Sequence, residues 1–351
     1  MVVVPDLSGV EGEYFRDIMH QPQALQETVA GLAASSGLES LVARVHRGEF
    51  RIVILTGMGS SFHALHPLRL RLIQQGILAL AVETSELIHY ESELLSPDTL
   101  LVAVSQSGQS AEVIRLLDLN PGRSPLIAIT NTAESPLARR ADALVLTRAG
   151  TEFSVSCKTY VTALAALNWL GDTLCGRVLP ESRQELQCAA PAVRDYLERW
   201  KQHVLGFCEL LHDVQHLFLV GRGASLAAVG TGALIIKEST HFHAEGMSSA
   251  AFRHGPFEML GHGVLVLNFA GARKTRDLNV GLLQDIRELQ GRGELIGVDA
   301  SFAPCALAAV PSSIEPMLEI LPVQMLTLAL SLRDGREPGR FALATKVTTK
   351  E

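Results

Sequence analysis

Lys237 and Glu238 interrupt a run of small and apolar residues with helical patterning, Gly230-Thr-Gly-Ala-Leu-Ile-Ile-Lys-Glu238. A carboxylate on such a face is costly to bury unless it has a partner or a reaction to perform. Glu238 is therefore a candidate general base, the alternative being that this turn surfaces and both charges are solvated. His254, between Arg253 and Gly255-Pro256 in an expected loop, is a candidate acid–base group because imidazole titrates near neutrality. Its plainer role is that of a hydrogen-bonded loop anchor. His241, His243, His254 and His262 show neither HxxxH nor two-His-plus-carboxylate spacing, and positions 241 and 243 of a helix point to different faces, so no metal site is expected.

Two loops offer anion chemistry. The run Arg51-Ile-Val-Ile-Leu-Thr-Gly-Met-Gly-Ser-Ser61 ends in a Gly/Ser turn, and Ser105-Gln-Ser-Gly-Gln-Ser110 follows a second apolar run. Both loops fall at expected carboxyl ends of parallel strands, where open α/β sheets bind ligands. Neither contains Lys or Arg. The donors would be the hydroxyls of Ser60, Ser61, Ser105, Ser107 and Ser110 with backbone N–H groups such as that of Gly59, a set that suits a phosphomonoester on a sugar. The alternative is that Ser and Gly simply make turns, with Ser61 and Ser110 as N-caps; two such loops in one half favour the ligand. Gly57-Met-Gly-Ser-Ser-Phe62 also begins like a dinucleotide fingerprint, with Glu83 near the ribose-binding place. Phe62 stands where the third glycine would allow close helix–strand packing.

The elements that must position these groups alternate. Apolar runs 52–56, 77–83, 100–105, 126–130 and 143–146 are spaced by helical patterns, which implies βαβ crossovers and a parallel sheet. The pattern restarts at 217–220, 264–269 and 295–298, with helices expected over about 155–171, 225–242 and 317–332. His216-Leu-Phe-Leu-Val-Gly-Arg-Gly-Ala-Ser225 echoes the first loop 164 residues on, Gly57 to Gly221. One topology occurring twice is the expectation, an α/β chain of two tandem three-layer domains with parallel sheets. The division expected is 1–34 helical, 35–180 and 181–332 as the two domains, and 333–351 as a tail.

The 351 residues, 47% hydrophobic and 19% charged, suit a globular protein of two domains. A net charge of −7 disfavours nucleic acid and anionic membrane. Cysteines at 157, 175, 188, 208 and 305 form no CxxC pair, and the N-terminus lacks a secretory pattern. A cytoplasmic protein with free thiols is expected.

Gly57-Met-Gly-Ser-Ser-Phe-His63, Ser85-Glu86, Ser105-Gln-Ser-Gly108, Ala149-Gly-Thr-Glu152, Leu234-Ile-Ile-Lys-Glu238, His243-Ala-Glu245, His254-Gly-Pro256 and Lys346-Val-Thr348 together resemble the SIS (sugar isomerase) family. The likeness runs from about residue 19 to the end and is greatest to the isomerase half of glucosamine-6-phosphate synthase, amino-sugar-phosphate deaminases and fructosamine-6-phosphate deglycases. It implies flavodoxin-like domains, no cofactor, and a homodimer with shared sites. It further implies that Gly59, Ser60, Ser61, Ser105, Gln106, Ser107 and Ser110 hold a sugar phosphate, and that Val155 and Ser156 touch the sugar. Glu238 corresponds to the base that moves a proton between C1 and C2, His254 to the ring-opening group that reaches a neighbouring subunit's site, and Lys346 to a tail lysine that forms an imine. No glutaminase half with its nucleophilic cysteine accompanies these motifs, so ammonia from glutamine is not expected.

The sequence departs from the synthase pattern at Ile235, where the synthase has Lys, at Thr231, where it has an acid, and by one residue between Glu152 and Lys158. Processing of a 6-phosphorylated amino sugar, as isomerase or deaminase, is therefore expected over synthesis. A deglycase and a non-catalytic phosphosugar sensor are the alternatives.

Overall fold

The computed structural model describes residues 6–343 and 345–350. Strands β1 (Ile52–Gly57), β2 (Ala79–Glu83), β3 (Thr99–Val104), β4 (Leu126–Thr130) and β5 (Ala143–Leu146) form a sheet in the order β2-β1-β3-β4-β5. Strands β6 (His216–Gly221), β7 (Ala244–Ser248), β8 (Val264–Phe269) and β9 (Arg292–Ile296) form another in the order β7-β6-β8-β9. All these pairings are parallel. Both orders follow the flavodoxin-like winding, β6 to β9 taking the places of β1 to β4. The fifth place in the second sheet is reduced to a single parallel bridge, Gly297 to Ala306. The doubly wound α/β class and the duplication expected from the repeat are both present.

The unbroken apolar runs have a direct cause. Ile52 and Ile54 of β1, Leu101 and Ala103 of β3, and Leu126 and Ala128 of β4 share one buried cluster with Val113, Leu116 and Leu117 of the helix Ala111–Leu119. The residues between them, among them Val53, Leu55, Leu100 and Val102, are just as buried, because successive strand side chains point to opposite faces. The helices Gly59–Gln74 and Lys158–Leu174 pack on one another, and the former packs on β1 and β2. A strand covered on both faces has no polar side to show. The second sheet repeats this with Phe218, Val220, Val264 and Val266 against Phe252, Leu282 and Ile286.

By contact the first sheet belongs to a unit of Gln23–Thr151, Lys158–Gln187 and the tail from Thr345, and the second to a unit of residues up to Pro22, Glu152–Cys157 and Cys188–Leu343. In the latter, the helix Glu315–Arg333 is long and apolar enough to cross a membrane, but 89% of its apolar stretch is buried. It packs against the helices Leu226–Thr240 and Trp200–Leu210.

Several local expectations are corrected. The helix expected from about 155 starts at Lys158, leaving Val155 and Ser156 ahead of it, and the polar stretch near 180–185 lies in a helix, Leu179–Gln187. The helix expected to reach 242 stops at Thr240, because His241 takes a left-handed conformation with φ +57°. His241 and His243 are thus not helical residues. Strand β7 was not expected at all: its residues are Ala-Glu-Gly-Met-Ser, with Glu245 exposed, and its pairing to β6 is made by the backbone.

Gln21 and Gln324, both fully buried, exchange Nε2–H···Oε1 bonds of 2.8 and 3.1 Å. Gln21→Leu leaves the Gln324 amide unpaired and is expected to cost about 2 kcal/mol. The double variant Gln21→Leu/Gln324→Leu should recover part of that loss in urea denaturation; an equal or larger loss would show that the pair does not act as a unit.

Candidate functional site

Strand β1 pairs with β2 on one side and β3 on the other, Gly57 lying opposite both Glu83 and Val104. The connections leaving β1 and β3 therefore diverge, and a crevice opens at their carboxyl ends. After β1 the helix Gly59–Gln74 starts at once, with Met58 at its N-cap making no side-chain bond. Ser60 and Ser61 lie in its first turn; the N–H groups of Ser61 and Phe62 donate to the Met58 carbonyl at 3.1 and 3.3 Å, which leaves those of Gly59 and Ser60 at the positive end of the helix dipole.

The second loop is held in shape from below. Ser105 Oγ accepts from Gly108 N at 3.1 Å and Ser107 Oγ from Gln109 N at 3.4 Å. The Gln106 carbonyl accepts from Asn131 N and Thr130 Oγ1, each at 3.1 Å. Gly108 has φ +62°, and a Cβ there would lie 2.3 Å from Ser135 Oγ, so only glycine fits this turn. Ser110 occupies the N-cap of the helix Ala111–Leu119, yet its side chain makes no capping bond. The N-cap alternative thus fails for Ser61, which lies inside its helix, and leaves the Ser110 hydroxyl unused by the cap. Ala111 N donates to Thr348 O at 3.1 Å, which draws the tail carrying Lys346 onto the turn that follows Ser110.

Glu238, His254, Val155 and Ser156 lie in the unit of the second sheet. Glu238 is in the last turn of the helix Leu226–Thr240 and half-buried, while Lys237 beside it is exposed. The surfacing alternative thus holds for the lysine and only in part for the carboxylate. Thr231 and Ile235, on the turns leading to Glu238, are fully buried. Glu152 Oε1 accepts from Cys157 N at 2.9 Å, Asp17 Oδ2 accepts from Phe153 N at 2.6 Å, and Ser154 Oγ donates to the Gly339 carbonyl. These bonds fix the short segment that carries Val155, fully buried, and Ser156, half-buried. His254 caps the helix Ser249–Arg253 and is exposed, next to Gly255 at φ +138°.

Tyr14 joins this group without having been singled out in the sequence. It is fully buried, with its hydroxyl 3.4 Å from Thr327 Oγ1. Burial first, and then the neighbouring Cys157, push the phenol well above its ordinary value; the Thr327 bond opposes this, and the charges of Glu238 and Glu152 add to it. Tyr14 therefore stays protonated beside the candidate base. Asp17 was missed in the same way, since both residues sit in a short N-terminal helix whose sequence shows no sign of its long-range partners.

The SIS domain profile matches residues 50–171 and 210–298, more than half of the chain, and the chain belongs to the SIS domain family. A glutamine–fructose-6-phosphate aminotransferase (isomerizing) of Pyrococcus horikoshii is 28% identical over 358 residues, covering 98% of this chain and 58% of that protein. The chain thus spans less than two thirds of that relative's length. Among solved structures, the C-terminal domain of glucosamine-fructose-6-phosphate aminotransferase from Francisella tularensis superposes with a TM-score of 0.81 at 22% identity, covering 93% of this chain and 97% of that one. Glucosamine-6-phosphate deaminase from Thermotoga maritima gives 0.75 at 18%, covering 97% and 100%. The fold is shared with both, and the family resemblance drawn from the motifs is borne out.

The echo loop Gly221–Ser225 has a different chemistry. Ser225 Oγ donates to Glu319 Oε1 at 2.6 Å, and Glu319 is 5% exposed. Burial, opposed by the Ser225 bond and reinforced by Glu315, raises its carboxyl to about 7 from an ordinary 4.5. At this group the folded state binds more protons than the unfolded one across that interval, so the contribution of Glu319 to stability is fully present below about pH 4.5 and is lost as pH rises through 7. Glu319→Gln should flatten this slope and gain up to about 3 kcal/mol at pH 8. Denaturation at pH 5 and 8 checks it, and an unchanged slope would refute the assignment.

Proposed function

We propose that the chain is a phosphosugar isomerase acting on a 6-phosphorylated amino sugar, with release or exchange of the amine. The observation that carries this reading is the crevice at the β1/β3 switch point, lined by hydroxyls that include a Ser110 unused by its helix cap. A dianionic phosphate placed there meets helix N–H groups and the hydroxyls of Ser60, Ser61, Ser105, Ser107 and Ser110, with the Gln106 amide alongside. Val155 and Ser156 would touch the sugar. His254 would assist ring opening.

In the reaction proposed, the Lys346 amine adds to the open-chain carbonyl and expels water, which holds the ring open as an imine, and water adding back to that imine frees the lysine. The Glu238 carboxylate takes the proton from C2 of the open-chain amino sugar and returns it to C1, so that the C2 amine becomes an imine, which water hydrolyses to the ketose with release of ammonia. Tyr14, kept neutral, supplies a buried hydroxyl near the base. The active form proposed is a homodimer with shared sites, for which the support is the exposed position of His254 on its loop. Ile235 and Thr231 replace the polar residues of the synthase pattern, which supports an amine-bearing substrate other than that of the synthase; a deglycase acting on fructosamine-6-phosphates is the second reading.

Glucosamine-6-phosphate, fructose-6-phosphate with ammonia, and several fructosamine-6-phosphates distinguish the readings when ammonia and free amino acid are measured. Ammonia turnover supports the first reading and amino acid release alone the second; tight binding without turnover of any would leave a sensor. Glu238→Gln should lower kcat by roughly 10²–10⁴ with little change in binding. Ser110→Ala should raise KM about tenfold through loss of a hydrogen bond to a charged group, while leaving the melting temperature unchanged.

A further inference from the structure

The helix Leu226–Thr240 ends against an open pocket of about 500 Å³, lined by Ser239, His241, Arg336, Glu337, Arg340 and Phe341. Small-molecule sites run from roughly 300 to 1,000 Å³. All of these residues belong to the unit of the second sheet. Basic side chains beyond a helix C-terminus ordinarily serve its last carbonyls. Here other groups do so: the Ile235 carbonyl accepts from Ser239 Oγ, that of Ile236 from Thr240 Oγ1, that of Lys237 from His241 N and that of Ser239 from Gly339 N. Arg333 is engaged as well, by Asp334 and by the carbonyls of Leu211 and Val214. Arg336 differs from it. Among the described residues it makes no ion pair, and its one hydrogen bond runs from Nη1 to His241 Nδ1 at 3.1 Å. Arg340 pairs with Glu337 at 3.2 Å, but with side chains 75% and 45% exposed that pair is weak.

We propose that this pocket binds a phosphate dianion, free or as the monoester of a small organic molecule, between Arg336 and Arg340. A His241 ring that accepts at Nδ1 is neutral and carries its proton on Nε2, so the imidazole adds a further donor. The charged groups lining the pocket are two guanidinium ions and one carboxylate, a local excess of positive charge in a protein whose net charge is −7. A guanidinium fork matches phosphate oxygens two at a time. A dianion can engage both forks and displace Glu337 from its exposed pair, whereas a cation would meet a single carboxylate and be repelled by both arginines. The volume exceeds what one phosphate fills, and the Phe341 ring gives the organic part of a monoester an apolar wall. The inference stands apart from the reading of the first-sheet loops, which contain no arginine.

Calorimetric titration of the full chain at pH 8 and constant ionic strength, with inorganic phosphate and with phenyl phosphate, tests it. Two double variants separate this pocket from the first-sheet loops: Arg336→Gln/Arg340→Gln and Ser60→Ala/Ser110→Ala. The arginine variant should bind one phosphate fewer per chain than the parent, and the serine variant should keep the pocket's affinity unchanged. Arg336→Gln and Arg340→Gln alone should each weaken binding there about tenfold, through loss of hydrogen bonds to a charged group. Tighter binding of phenyl phosphate than of inorganic phosphate at this pocket would identify a monoester, and equal affinity free phosphate. If the double arginine variant fails to fold, Arg340→Gln at its exposed position serves alone. Unchanged stoichiometry and affinity in the arginine variants would overturn the proposal. Phosphate binding lost only in the serine variant would overturn it too, while leaving the proposed function standing.

Discussion

A strand that pairs in parallel with neighbours on both sides is the constraint on which the rest of this structure depends. Because β1 is hydrogen-bonded to β2 and β3 at once, their carboxyl ends finish level, Gly57 against Glu83 and Val104. Each crossover must begin from that same edge, and the crossovers diverge. The edge thus collects helix N-termini and short loops without needing any charged side chain. Hydroxyls and N–H groups gather there in a protein that carries a net charge of −7, and the proposed phosphate would be met by these neutral donors.

The duplication shows how little of this chemistry belongs to the backbone. β6 and β8 reproduce the β1/β3 arrangement, yet the loop after β8 reads Ala270-Gly-Ala272 where the first reads Ser105-Gln-Ser107. One buried carboxylate, Glu319, then takes the hydroxyl of Ser225. The same geometry is hydroxyl-rich in one copy and acidic in the other. In the second unit, the helix that follows the echo loop carries Glu238 in its last turn, and the segment 152–157 is held to the rest of that unit by Asp17 and Gly339.

Strands covered on both faces were legible as unbroken apolar runs, and β4, β5 and β8 fall on the residues expected. β7 was not legible, since an edge strand with exposed positions needs no apolar run and its pairing is carried by the backbone. The end of the Glu238 helix was misread because a left-handed His241 has no compositional sign of the kind glycine gives. Serine loops could be located but not interpreted: whether Ser110 serves as a cap depends on the direction of one hydroxyl.

The sequence by itself determined the class of fold, its duplication, the two serine loops and the placing of Glu238 on an apolar helix. These are local matters, expressed in periodicity and in residues adjacent along the chain. Only the tertiary structure decided which polar atoms were satisfied and by what. Tyr14 lies beside the charges of Glu152 and Glu238, Gln21 pairs with Gln324, and Glu319 takes Ser225 while its second oxygen stays bare. Those outcomes turn on groups far apart in sequence and on burial that raises the energetic stake of each contact, neither of which a local pattern of residues can express.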